Sequence, residues 1–140
     1  MSMTLYVILS LNDVPDTTSL NVKASELNSP IVFSEKINLK THSGFLPVKL
    51  SGEPAGVETY ASPYSEFSDY FSDFDISPYK EPVVITFRWG GDLNEMVVAL
   101  NSAYLLSHDV VSAVFEPQSG MFLTSEQVKE GADAMFADGI

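Results

Sequence analysis

The pattern of hydrophobic and polar positions is clearest in residues 82–116, where it predicts a strand, a helix and a second strand. Every second residue from Val83 to Trp89 is apolar, which is the period-two pattern of a largely buried strand. The β-branched run at 110–115 predicts the second strand. Between them, one apolar stripe has helical spacing and consists of Leu93, Met96, Val97, Leu100, Ala103 and Tyr104. We therefore expect the helix to pack across a sheet that contains both strands.

Turn residues predict where this helix begins and ends. Gly90 and Gly91 interrupt the first strand, and they match no phosphate-binding loop, so they are interpreted as a tight turn. Asp92 is a preferred N-cap residue, and Glu95 follows it at the spacing of a capping box. His108 lies in the last turn, where a positive charge would interact favourably with the negative end of the helix dipole.

The rest of the chain predicts further short strands and two more helices. Strands are expected at residues 5–9, 31–33, 46–50 and 57–60, a brief extended piece at 121–123, and helices at 19–28 and after Thr124. Pro47 lacks a backbone donor, which places its strand at an edge of the sheet or places the proline at the strand's start. The sequence thus predicts a single α+β domain over residues 1–140, with a mixed or antiparallel sheet of five to six strands and three or four helices.

Residues 62–79 are unusual because aromatic and acidic side chains recur there with helical spacing. Ser62 followed by Pro63 is typical of a helix N-terminus. One face of the expected helix would carry Tyr60, Tyr64, Phe67, Phe71 and Phe74. The opposite face would carry Glu66, Asp69, Tyr70 and Asp73, with Asp75 and Tyr79 on the loop that follows. We expect the aromatic face to pack into the core and the acidic face to be exposed.

Charge is distributed unevenly along the chain, and this limits the classes of partner. The formal net charge is −12. Residues 1–52 contain four acids and four lysines, whereas residues 53–140 contain fifteen acids and three basic residues. Such a field repels nucleic acid and anionic membranes, and it attracts basic proteins or cations. We therefore expect no nucleic-acid partner and no membrane partner.

The chain contains no cysteine, which excludes disulfides, zinc thiolates and thiol catalysis. A cysteine-free sequence suits a reducing compartment. No basic residue precedes the first apolar run, and no apolar run approaches the roughly 20 residues of a membrane-spanning helix. The expected location is the cytoplasm.

Candidate catalytic residues are few, and no recognised motif groups them. The two histidines, His42 and His108, lie in no nucleophile motif. Arg88, the only arginine, is expected to pair with a carboxylate. The acids of residues 66–75 lack the glycine-turned loop of an EF-hand, so a solvated face is the simpler interpretation than a cation site. The sequence predicts no catalytic centre, no metal and no cofactor.

Three features together indicate a class of function: the small size and strong acidity, the segment YSEFSDYFSDFD, and the order FRWGGDLNEMVVALNSAYLL followed by VFEPQSG. In these features, over about the last 90 residues, the chain resembles bacterial immunity proteins, the cytosolic antidotes encoded with secreted toxins. The resemblance implies that the protein neutralises a basic toxin by occluding it, with acids that steer the toxin and aromatic residues that anchor it. The predicted partner-binding residues are Glu66, Asp69, Tyr70, Asp73, Asp75 and Tyr79.

Two other classes of function stay open at the level of the sequence. One is an enzyme or small-ligand pocket built from carboxylates with His108 and Arg88. A deep polar pocket that holds either residue with two carboxylates would favour it. The other is an oligomeric structural protein whose aromatic face forms the subunit interface, which size-exclusion chromatography would detect.

Overall fold

One antiparallel sheet of seven strands and three α-helices make up the computed structural model, which describes residues 2–71 and 73–139. The strands are β1 (Met3–Ser10), β2 (Ile31–Phe33), β3 (Ser43–Leu50), β4 (Glu53–Pro63), β5 (Pro82–Trp89), β6 (Ser112–Glu116) and β7 (Met121–Leu123). The helices are α1 (Thr17–Glu26), α2 (Leu93–Ser107) and α3 (Ser125–Gly139). Across the sheet the order is β2-β3-β4-β5-β1-β6-β7.

This architecture confirms the α+β class and the antiparallel sheet, but the expected count of five to six strands is too low. The difference arises at one edge of the sheet. The edge strand β7 has three residues, which is too short for an alternating pattern to stand out, and the sequence predicts only a brief extended piece there. Backbone pairing with β6 nevertheless makes it part of the sheet.

The first strand, β1, lies at the centre of the strand–helix–strand unit that the sequence predicts. It pairs antiparallel with β5, with Leu5 opposite Phe87, and antiparallel with β6, with Val7 opposite Val114. Consequently β5 and β6 run parallel to each other with β1 between them. The predicted unit is confirmed, with α2 packed on β1, β4, β5 and β6.

Helix α2 begins where the sequence predicts. The Asp92 side chain accepts hydrogen bonds from the backbone N–H of Asn94 at 2.7 Å and of Glu95 at 3.3 Å. Such a cap satisfies donors that have no partner inside the helix, and its negative charge favours the positive end of the helix dipole. Phe87 and Leu100, from the strand and the helix of the unit, are both buried as expected.

The end of α2 is bound by a residue that the sequence did not indicate. The Lys23 ammonium group, from α1, donates to the backbone carbonyl oxygens of Leu105, at 2.8 Å, and His108. Burial lowers the pKa of Lys23, and the nearby carboxylate of Asp109 partly offsets this effect. Lys23 thus provides the positive charge that the sequence assigned to His108, whose ring pairs with Asp109 at 3.2 Å.

Strand β3 is not an edge strand, which corrects the expectation drawn from Pro47. It lies between β2 and β4 and begins at Ser43, four residues before the proline. β2 pairs only with residues 48–50 of β3, so Pro47 lies just beyond the ladder and its missing donor removes no bond there. Strands β3 and β4 form a hairpin, with Ser51 and Gly52 both at positive φ, as in a type I′ turn.

The two faces of the sheet are covered by different parts of the chain. On one face, all three helices pack on a core that includes Leu5, Val7 and Leu9 of β1. On the other face, a smaller cluster is built on Ile8 of β1 and Val84 of β5. Residues 64–79 cover this second cluster, so the region predicted to bind a partner is also a layer of the fold.

We predict that Leu100→Ala lowers the free energy of unfolding by about 2–5 kcal/mol, because it leaves a cavity between α2 and α3. Leu100 is 7% exposed, and a Cβ atom added at Gly131 of α3 would lie 3.9 Å from its Cδ1 atom. Urea unfolding followed by circular dichroism measures the change. The control is Val111→Ala, at a side chain that is 58% exposed, where the change should stay within about 0.5 kcal/mol. Equal losses in the two variants would contradict the packing described.

Candidate functional site

Residues 64–71 and 73–79 form one 3-10 turn followed by hydrogen-bonded turns, and not the α-helix expected from the aromatic spacing. The 3-10 turn is Tyr64–Phe67, and Ser62, expected to cap a helix, lies inside β4. Serine and aspartate are dense in this stretch, and their side chains compete with helical hydrogen bonds. Asp75 shows this directly, because its carboxylate accepts a hydrogen bond at 2.9 Å from the backbone N–H of Ser77.

The side chains of Tyr64, Phe67, Phe71 and Phe74 nevertheless point towards the sheet as predicted, whereas Tyr60 lies in β4 and outside this cluster. Tyr64 and Phe71 are buried, and Phe67 and Phe74 are half-buried against them. The Tyr64 and Phe71 rings stack with centroids 6.1 Å apart. The Tyr64 hydroxyl also donates a hydrogen bond to the Phe71 carbonyl oxygen at 3.2 Å. These contacts hold an irregular backbone in one conformation without the help of a helix.

The sheet contributes three aromatic residues to this cluster that sequence reasoning did not assign to it. Tyr6 of β1 contacts Phe71 edge-on at 5.9 Å between centroids, and Phe115 of β6 contacts it at 5.2 Å. Phe122 of β7 contacts Phe115 at 4.9 Å. A signal was available at residues 5–9, because an uninterrupted apolar run is typical of a strand covered on both faces.

Five of the six predicted partner-binding residues lie on the outer side of this segment, and the sixth, Tyr79, packs against the aromatic cluster. Glu66, Asp69, Asp73 and Asp75 are all exposed. Tyr70 is 54% exposed, although its ring contacts Phe71 edge-on at 4.9 Å. Tyr70, which lies between these four acids in sequence, is therefore fixed on one side and open to solvent on the other.

Three groups of this surface have shifted pKa values, and in Tyr70 partial burial of the ring raises the pKa of the hydroxyl. The Ser77 backbone N–H lowers the pKa of Asp75, so that carboxylate is ionised at neutral pH. Tyr79 is half-buried beside Phe74, with ring centroids 5.8 Å apart, and burial raises the pKa of its hydroxyl. Tyr79 is thus the least accessible of the predicted partner-binding residues.

Arg88 and His108, the other candidate pair, do not share a pocket. Arg88 precedes α2 and His108 follows it, and a helix of 15 residues is about 22 Å long. Arg88 donates to the Ser2 hydroxyl at 3.1 Å and has no carboxylate partner among the described residues, so the expected ion pair is wrong. The opposing carboxylate on β4, Glu58, instead accepts a hydrogen bond from Tyr60, which raises the pKa of that tyrosine.

The remaining histidine belongs to a loop. The His42 Nε2 atom lies 2.8 Å from the Phe45 carbonyl oxygen at the start of β3. In residues 2–71 and 73–139, no three histidine, aspartate or glutamate side chains are grouped so that they could hold a metal ion.

A cleft of about 660 Å³ lies beside Tyr64, at the start of the segment, where β4 ends and β5 begins. Its lining is mostly apolar and includes Val14, Ala61, Val83, Ile85 and Ile76. Three serines line it as well, and its charged groups are Lys40 and Glu81. Its volume lies within the ordinary range for small-molecule sites, and such a lining would retain a ligand mainly by burying apolar surface.

No protein-family model, curated protein or solved structure matches this chain. None of the helices in the described part of the chain combines the length and the apolar character needed to span a membrane. The function is therefore inferred from the surface geometry of the protein itself.

We predict that Tyr64→Phe lowers the free energy of unfolding by about 0.5–1.5 kcal/mol, because it removes the buried hydrogen bond to the Phe71 carbonyl and keeps the ring. Urea unfolding measures the change. The matched control is Tyr70→Phe, which removes a hydroxyl from a side chain open to solvent and should change stability by less than about 0.5 kcal/mol. If both variants unfold like the unchanged protein, the hydrogen bond does not hold the segment.

Proposed function

We propose that this chain is an acidic protein-binding protein of the immunity type, which neutralises a basic toxin by occluding it. The proposed partner surface is the outer side of residues 64–79. One observation carries the proposal: aromatic rings fasten this segment to the sheet, while its carboxylates and Tyr70 are left exposed. A layer that served the core alone would not need so many charges on its outer side.

The anchoring of the segment supports binding because it lowers the entropy cost of association. A partner that binds a flexible loop has to order it, and that ordering reduces the net affinity. Tyr64 and Phe71 already hold this backbone in place. The Tyr70 side chain has few torsions for binding to restrict, so its ring contacts a partner at a low entropy cost. Aromatic residues at interface hot spots share this property.

The charge of the segment supports a basic partner. Glu66, Asp69, Asp73 and Asp75 lie within ten residues, and the chain from residue 53 onward carries the whole net charge of −12. Such a field raises the rate of encounter with a positively charged protein, and salt screens it within about 8 Å at physiological ionic strength. An immunity protein of this kind would act in the cytoplasm, before the toxin reaches its target.

A second candidate function is small-molecule binding in the cleft beside β4 and β5. The volume of about 660 Å³ and the mostly apolar lining favour it. Lys40 at the lining would favour a ligand with an apolar body and one anionic group. This candidate uses neither Arg88 nor His108.

For the partner surface, we predict that Asp69→Lys/Asp73→Lys slows association with the partner, because exposed charges act mainly on the rate of encounter. Tyr70→Ala should instead speed dissociation by about tenfold or more, because it removes buried contact area. The partner is captured from the native cell with the tagged protein at low salt and released at high salt. Surface plasmon resonance then measures both rates for each variant.

The matched control for the charge reversal is Glu26→Lys/Glu53→Lys, which makes the same change in net charge on α1 and on the β3–β4 hairpin. Its association rate should fall much less than that of the segment variant. Unchanged rates in both the Asp69→Lys/Asp73→Lys and the Tyr70→Ala proteins would refute the proposed surface.

For the cleft, we predict that anilinonaphthalene sulfonate, which has apolar rings and one anionic group, fluoresces on binding the folded protein. Ala61→Phe should abolish the enhancement, because a larger side chain on β4 fills the cleft. Thermal unfolding checks that the variant is folded. Equal fluorescence from the two proteins would show that the dye binds elsewhere and would remove the support for this candidate.

A further inference from the structure

A groove of about 440 Å³ opens beside Tyr70, between the segment and the edge strand β7. Its lining combines two kinds of side chain. The aromatic residues are Tyr70, Phe71, Phe74, Phe115 and Phe122, and the acidic residues are Asp73 and Asp75. No basic side chain is among its lining residues in the described part of the chain. The groove is therefore negative at its rim and aromatic at its floor.

The aromatic rings that line the groove lie at different angles, so the groove contains both ring faces and ring edges. Phe74 and Phe122 stack with centroids 5.0 Å apart and an interplanar angle of 17°. Phe115 meets Phe122 at 62° and Tyr70 at 86°, so its ring stands across theirs. Phe122 is 43% exposed although it belongs to this cluster, which leaves part of an aromatic ring open to solvent. The faces of aromatic rings carry partial negative charge and attract cations.

The two carboxylates add full negative charge next to these rings. Asp75 is held by the Ser77 backbone N–H, which bonds to its Oδ1 atom. That bond orients the carboxylate on the rim of the groove, and the Ser77 side chain contacts it as well. The same bond lowers the pKa of Asp75, so the group keeps its charge in mildly acid solution. Asp73 is exposed on the same rim.

We propose that this groove receives an arginine side chain of the basic partner, with the guanidinium group on the aromatic floor and hydrogen-bonded to Asp73 and Asp75. This inference rests on the proposed function and names the chemistry of the contact. Arginine fits better than lysine, because its planar group stacks on rings and donates in the fork geometry that carboxylates accept. The two carboxylates and the aromatic floor both favour binding of a cation. A neutral apolar side chain would contact only the floor.

A capped pentapeptide with arginine between glycines, acetyl-GGRGG-amide, tests the groove directly. The control peptide carries citrulline, which has nearly the same shape as arginine and no charge. Titrations are followed by nitrogen-15 NMR of the backbone amides. We expect shifts confined to residues 70–75 and 121–123 with the arginine peptide, and shifts roughly fivefold smaller with the citrulline peptide.

Two variants, each with a matched control, locate the binding. Phe122→Leu and Asp73→Asn/Asp75→Asn should each raise the Kd of the arginine peptide by about three- to tenfold. Phe45→Leu removes another exposed ring, on β3, and Glu26→Gln/Glu53→Gln removes two charges elsewhere. These two controls should leave the Kd unchanged. Thermal unfolding confirms that all four proteins are folded.

Several outcomes would overturn the inference. Equal shifts with the citrulline peptide, or larger shifts with a phenylalanine peptide, would make the groove an apolar site. Shifts spread over the acidic surface, or none, would show that no guanidinium site exists. Shifts at residues 70–75 that grow with protein concentration and without peptide would assign the groove to a second copy of the chain.

The same variants separate this inference from the proposed function. If the captured partner binds Phe122→Leu and Asp73→Asn/Asp75→Asn as tightly as the unchanged protein, the arginine site is wrong and the partner surface at Asp69 and Tyr70 stands. If no partner is captured but the arginine peptide binds the groove, the proposed function fails and the site stands.

Discussion

The rest of the structure depends on the burial of β1 on both of its faces. Leu5, Val7 and Leu9 face the helices and have no exposed surface, and Ile8 on the opposite face is buried just as completely. A sheet covered on one side would leave Ile8 in water, at a cost of about 1.5–3 kcal/mol for a side chain of that size. The helices all contribute to the first core, so the second layer has to come from elsewhere in the chain. Residues 64–79 supply it.

That requirement explains how a stretch so rich in acids can be ordered. Its aromatic residues make tertiary contacts with Tyr6 and Phe115 of the sheet, and these contacts replace the repeating backbone bonds of a helix. The acids are left at fixed positions on the outer side. The second layer of the fold and the proposed partner surface thus share one segment, and the groove beside Phe122 lies where the aromatic layer ends at the edge strand.

The sequence predicts local features of this fold better than the contacts between distant residues. Asp92 caps α2 as expected, and Thr124 and Gln127 bond reciprocally at the start of α3, because a cap depends only on neighbours in the chain. The aromatic spacing of residues 64–74 correctly predicts which side chains turn inward, but it wrongly predicts a helix. The side chains with that spacing turn inward because they pack on the sheet. A short stretch of sequence does not reveal such tertiary contacts. The insertion of β1 between β5 and β6, and the bond from Lys23 to the end of α2, are likewise contacts between residues far apart in sequence.

The position of β1 has a consequence for how the protein reaches its native state. Strands β5 and β6 are joined in the sheet only through β1, so the middle of the sheet closes when β1 pairs with strands that lie far along the chain. A fold with such distant pairing belongs to the slow-folding class, because the entropy of closing a long loop is lost before the contacts form. Before β1 pairs, the backbone groups of β5 and β6 that it bonds have no partner strand. The β1 strand of a second molecule has the same sequence and pairs with them equally well, so refolding at high protein concentration favours strand exchange between molecules.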